Sequence, residues 1–188
     1  MRLLAFDTET GGLDPKATSL LTAYFVILDK DLKPQDSLYL KVKPNDGNFQ
    51  VTPGAMNVNK INLEEHTQVA VTYETAKKEL ADFLRKHSSK YDKLIPVAHN
   101  IEFDLGYINE HLLDKKSWEN FVSYRKLDTA QIANFFKLAG IIPDGQSAAL
   151  GALAKSQNIE FDGEAHSADA DTKVMVELLK SFVNTVRK

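Results

Sequence analysis

Three runs of strand character crowd the N-terminal quarter of the chain, and they restrict its possible folds more than any other feature. Arg2–Asp7 is short, mostly apolar and leads to Thr10-Gly11-Gly12, the pattern of a buried strand entering a tight turn. Leu20–Leu28 is rich in aromatic and β-branched residues and runs into the polar turn Asp29-Lys30-Asp31. Beyond it, Leu38, Leu40 and Val42 alternate with Tyr39, Lys41 and Lys43, so one face of an antiparallel hairpin is apolar. Such a sheet needs cover, and the rest of the chain supplies it. A short helix is expected near Asn62–His66. Thr72 is placed to cap a longer one with the stripe Ala76, Leu80, Phe83 and Leu84. Leu94–Ala98 reads as a strand, followed by a helix over Phe103–Leu113 with Leu105, Ile108 and Leu112 on one face. Ser123–Leu127 reads as a last strand, leading into a helix over Thr129–Leu138. Ser147 would cap a helix to Ser156, and the final helix runs over Ala168–Val186. Strands first, then strand and helix in alternation, predict an α/β chain: a mixed β-sheet flanked by helices. No repeat or linker divides it, so residues 1–188 are expected to form a single domain.

Composition narrows the chemistry. There is no cysteine among the 188 residues, which excludes disulfides, thiolate zinc sites, iron–sulfur clusters and cysteine nucleophiles. Thr22 interrupts the most apolar stretch, far short of the roughly 20 residues a bilayer span requires. The N-terminal run meets Asp7 and Glu9 too early for a signal peptide. A soluble, cytoplasmic protein with no membrane partner is expected. The net charge of -3 reflects 23 basic against 26 acidic residues. It does not exclude a nucleic-acid partner, because four acids gathered at one metal site would leave the remainder in balance.

The acids themselves are informative. Asp7 and Glu9 are spaced i, i+2 at a strand end, so both carboxylates point the same way, as a hard-cation ligand pair requires. Asp104 follows the strand Leu94–Ala98, within His99-Asn100-Ile101-Glu102-Phe103-Asp104, where ligands collect at strand ends of α/β sheets. Asp171, Met175, Leu178 and Phe182 share one face of the last helix, which turns an acid toward the sheet. A core-facing carboxylate must be paired or metal-bound. His166 precedes that helix, positioned to reach over a site.

Together, Phe6-Asp7-Thr8-Glu9-Thr10-Gly11-Gly12, the segment His99–Asp104 and His166-(four residues)-Asp171 resemble the three motifs of the DnaQ-like 3′–5′ exonucleases, in the branch whose fifth residue is His. The resemblance covers nearly the whole chain. It implies a ribonuclease H-like fold with a five-stranded mixed sheet whose first three strands are antiparallel. It further implies that Asp7, Glu9, Asp104 and Asp171 hold two divalent cations, Mg²⁺ or Mn²⁺. Asp7 would bridge both, Glu9 and Asp171 complete the first, and Asp104 serves the second. His166 is implied as the general base that deprotonates the attacking water, work suited to a pKa near neutral. Val51–Ile61 resembles the segment lining the terminal-nucleotide pocket, with Asn59-Lys60 where many members carry His-Gly. Thr10, Gly11, Gly12, Asn59, Asn100 and Phe103 are therefore the expected substrate-binding residues, with open backbone donors in the Thr10-Gly11-Gly12 turn. Leu127-Asp128-Thr129 also matches a family pattern, and Asp128 reads as a helix cap.

The expected activity is metal-dependent release of nucleoside 5′-monophosphates from a free 3′ end of single-stranded DNA. Oligoribonucleases typically carry Met where Thr10 stands, which favours DNA. An RNA-trimming ribonuclease of the same branch is the alternative enzyme, and a silent polymerase-associated nucleic-acid-binding module is the alternative outside catalysis. Lys188 follows the last helix so closely that no obligatory polymerase tether is expected.

Overall fold

The computed structural model describes residues 1–160 and 167–187. In chain order its elements are β1 (Leu3–Thr10), β2 (Leu20–Leu28), β3 (Pro34–Lys43), α1 (Pro53–Asn59), α2 (Leu63–Val69), β4 (Val71–Thr72) and α3 (Tyr73–His87). Then come β5 (Ile95–Ala98), α4 (Ile101–His111), α5 (Lys115–Trp118), β6 (Leu127–Asp128), α6 (Thr129–Leu138), α7 (Leu150–Ser156) and α8 (Ala168–Val186). The strands form one mixed sheet in the order β4-β3-β2-β1-β5-β6. β2 pairs antiparallel with β3, as the alternation predicted, and β1 antiparallel with β2, as the family resemblance implied. On its other side β1 pairs parallel with β5, and β5 parallel with β6, so three strands end together at one edge of the sheet.

The sheet has six strands rather than the expected five. The extra one, β4, is only two residues long and exists because Val71 and Thr72 lie beside Val42 and Lys43, a tertiary pairing with no local pattern. The expected strand over Ser123–Leu127 shrinks to Leu127–Asp128, with an isolated bridge from Leu94 to Val122 upstream. α1 and α5 form where no helix was expected; Thr52 and Asp114 cap them through side-chain oxygens. α7 starts at Leu150 rather than at a Ser147 cap. On α4 the buried set is Ile101, Asp104, Tyr107 and Ile108, because the helix rests over the Gly11-Gly12 turn as well as the sheet.

Alternation along β1 assigns the faces. Leu4 and Phe6 enter a core with Leu80 and Leu84 of α3, Ile108 of α4 and Trp118. Leu3 and Ala5 point the other way and pack with Met175, Val176 and Leu179 of α8. Asp7 and Glu9 have the parity of Leu3 and Ala5, whereas Thr8 has that of Leu4 and Phe6. Carboxylates on β1 therefore face α8, and the hydroxyl between them faces α4.

Candidate active site

The site lies at the edge where β1, β5 and β6 end. β1 brings Asp7 and Glu9 there, two residues apart on one face. Asp171 comes from the first turn of α8, its amide hydrogen-bonded to the Ser167 carbonyl at 2.9 Å. Carboxylate oxygens of Asp7, Glu9 and Asp171 all lie within 4.8 Å of one another. Asp104 lies outside this triad. It projects from the buried face of α4, is 2 % exposed, and accepts a hydrogen bond from Thr8 Oγ1 at 2.6 Å. The four acids thus converge on β1 from both faces of the sheet, three as a cluster and the fourth through Thr8.

Their electrostatics follow from this crowding. Burial, then repulsion from Asp104, Glu9 and Asp171, holds the Asp7 carboxyl well above its ordinary range. Burial and the charges of Asp171 and Asp104 push Glu9 up to about 8. Burial raises Asp104 to about 7, against the opposing hydrogen bonds from Thr8. The donor set fits a hard divalent cation: three oxygen ligands converge on one point, and nothing softer is present in the triad. Asp7, Glu9 and Asp171 can hold such an ion, with Asp104 beside them.

A cleft of about 340 Å³ opens next to Glu9, lined by Thr8, Thr10, Gly12, Asn59 and Phe103 among others. Its volume is in the range of small-ligand sites, roughly 300–1,000 Å³. Phe103 is 36 % exposed there, its ring 5.2 Å from that of Tyr107. Leu13 and Val58 also line the cleft and are exposed. Asn59 donates through Nδ2 to the Thr10 carbonyl at 3.0 Å and accepts from the Ile61 amide at 3.1 Å, tying α1 to the end of β1.

Two of the expected substrate contacts are placed differently. Gly11 turns its backbone inward rather than leaving donors open: its amide donates to Ser19 at 2.7 Å and its carbonyl accepts from Thr52 at 2.6 Å. A Cβ on Gly11 would run into the Gln50 carbonyl oxygen, so the residue type is fixed by packing. Asn100 is not part of the cleft wall; it opens α4 in the left-handed conformation, at φ 61°. His166 lies outside the described residues.

The sequence reading passed over two residues that shape the site. Tyr107 is fully buried and donates to the Gly12 carbonyl at 2.8 Å, with Thr18 Oγ1 2.6 Å from its hydroxyl. Thr8 holds Asp104. The signal for Thr8 was its place between two acids on a strand; for Tyr107 it was its i+3 relation to Asp104.

A mixed sheet with carboxylates gathered at its strand ends, beside a cleft of small-ligand size, is the arrangement of a metal-dependent hydrolase. The RNase_T exonuclease family model matches residues 4–179. The chain is 27% identical over 190 residues to ribonuclease T of Histophilus somni (strain 129Pt), covering 97% of this chain and 83% of that one. In fold it is similar to the exonuclease I of Methylocaldum szegediense, with a TM-score of 0.78 at 19% identity over 98% of this chain. It is likewise similar to E. coli exonuclease I in complex with a dT13 oligonucleotide, with a TM-score of 0.77 at 18% identity over 96% of this chain. The chain spans about two fifths of the length of these exonuclease I chains, 40% of each. It belongs to the RNase_T exonuclease family, within the DnaQ-like group of the ribonuclease H-like superfamily, and is a 3′–5′ exonuclease. Among the described residues no helix is long and apolar enough to cross a membrane.

Proposed function

We propose that this enzyme removes nucleotides one at a time from the 3′ end of single-stranded DNA, releasing nucleoside 5′-monophosphates, with Mg²⁺ or Mn²⁺ as cofactor. The observation that carries the proposal is the Asp7–Glu9–Asp171 triad directly beside a cleft that Glu9 also lines. In this reading Asp7, Glu9 and Asp171 hold one cation and Asp104 contributes to a second. Bound there, the cations supply positive charge to the phosphate oxygens and lower the pKa of water. The cleft takes the terminal nucleoside: Phe103 offers a ring face to the base, and Thr10 and Gly12 border the sugar. Asn59 acts from behind by fixing the Thr10 carbonyl. His166, neutral above its pKa, accepts the proton of the attacking water.

DNA is favoured by Thr10 and by the likeness to a protein crystallised with dT13. The relative named ribonuclease T supports RNA as a second substrate. The test uses 5′-labelled single-stranded DNA, duplex DNA and RNA with Mg²⁺ or Mn²⁺. A ladder of products shortened from the 3′ end is expected, fastest on single-stranded DNA and abolished by EDTA. Cleavage persisting in EDTA, or internal cuts in a circular strand, would refute the assignment. RNA degraded faster than DNA would replace DNA by RNA as the substrate.

A further inference from the structure

Asp128 caps α6, but its carboxylate does more than a cap requires. Oδ1 accepts from the amides of Ala130 at 2.9 Å and Gln131 at 3.4 Å, the bonds expected at the start of α6. The same Oδ1 accepts from the Asn100 amide at 3.1 Å, and Oδ2 from the Ile101 amide at 3.2 Å. One side chain therefore satisfies donors at the beginnings of two helices. The sheet makes this possible: β5 and β6 run parallel with Ala98 opposite Asp128, so both chains leave the sheet side by side. Asn100 can turn through its left-handed conformation because the carboxylate takes up the amides exposed by that turn. A full negative charge at the start of α4 also suits the helix dipole.

The consequence concerns Asp104. It lies one turn beyond Ile101 on the same buried side of α4, and its Oδ1 must meet Thr8 Oγ1 at 2.6 Å. A helix held at its first turn by two charge-assisted bonds presents that carboxylate in one place. Released from Asp128, the first turn can rotate or fray, and Asp104 moves with it.

We infer that Asp128 is a positioning residue of the exonuclease reaction, locking the first turn of α4 to the end of β6 so that the Asp104 carboxylate is fixed against β1. This rests on the reading that Asp104 serves the reaction. Partners that orient ligating groups typically change metal affinity or activity by about 10–100-fold when removed.

Two variants separate positioning from capping. In Asp128→Ser the shorter side chain still caps α6 but cannot span to α4; in Asp128→Asn the shape is kept, but an amide nitrogen replaces one acceptor. Each is compared with wild type and Asp104→Asn for melting temperature, kcat, KM for a single-stranded oligonucleotide, and the Mg²⁺ concentration giving half-maximal rate. For both variants the expected result is a kcat about 10–100-fold lower and a raised Mg²⁺ requirement. KM should stay within about threefold. If either variant, shown to be folded by circular dichroism, keeps wild-type kcat and Mg²⁺ requirement while Asp104→Asn is inactive, Asp128 is only a cap. Full activity in Asp104→Asn would instead overturn the role given to Asp104 itself.

Discussion

Asp7, Glu9 and Asp104 hold their protons to unusually high pH, and this has a measurable consequence for the metal-free protein. Glu9 lies at about 8, Asp104 at about 7, and Asp7 well above the carboxylate range, in each case chiefly through burial. A group whose folded pKa exceeds its unfolded value favours the fold fully below the unfolded pKa, about 4 for these acids. That contribution is lost as pH rises through the folded values. Burial shifts His66, His99 and His111 down, which adds an opposite slope below about pH 6.5 but none once the rings are neutral in both states. In EDTA the melting temperature is therefore expected to fall between pH 7 and 9. Asp7→Asn should flatten that decline by removing one charge from the cluster. A melting temperature that rises with pH across this window in the wild type would contradict the crowded-carboxylate account.

At the scale of elements, the turn after β1 and the helix α4 are fastened to one another. Tyr107 reaches from the second turn of α4 to the Gly12 carbonyl, and His111 Nε2 lies 3.0 Å from the Thr18 carbonyl on the same loop. Gly12 cannot widen the gap with a side chain, since a Cβ would come within 2.6 Å of Thr18 Cγ2. Tyr107→Phe removes one of the two donors to the Gly12 carbonyl, leaving Thr10 Oγ1 as the other, a loss of about 0.5–1.5 kcal/mol that urea titration would register. Because Gly12 borders the cleft, KM for the 3′ end should also rise more than kcat falls. Unchanged stability and an unchanged KM would show that the turn is held without Tyr107. The α4 stripe shows how far periodicity reaches: it located the helix within two residues at each end. It offered Leu105, Ile108 and Leu112 as the inward face, because no local pattern reveals that Asp104 and Tyr107 meet β1 and its turn.

Across the whole molecule the Asp7–Glu9–Asp171 cluster joins two stretches far apart in sequence, so a cation bound there would tie β1 to α8. Binding to the folded chain alone stabilises it by mass action, about 2.7 kcal/mol at a hundredfold excess over the dissociation constant. Thermal unfolding with and without saturating Mn²⁺ should show that gain in the wild type. Asp7→Asn should lose most of it, while its metal-free form is as stable as the wild type or more so. Equal metal-induced shifts in the two proteins would place the ion elsewhere.

The amino-acid sequence by itself determined the β2–β3 hairpin and the limits of α6 and α8, and it offered the four acids as candidates. These depend on local alternation, helical period and ordered motifs, all of which are written along the chain. Only the tertiary structure decided that Asp7, Glu9 and Asp171 form a triad with Asp104 beside it, held by Thr8. It alone decided that β4 exists, that the Gly11 amide is spent on Ser19, and that Asp128 serves two helices. Each of these is a contact between segments distant in sequence, and its geometry is fixed by how sheet and helices pack rather than by any residue's own preference.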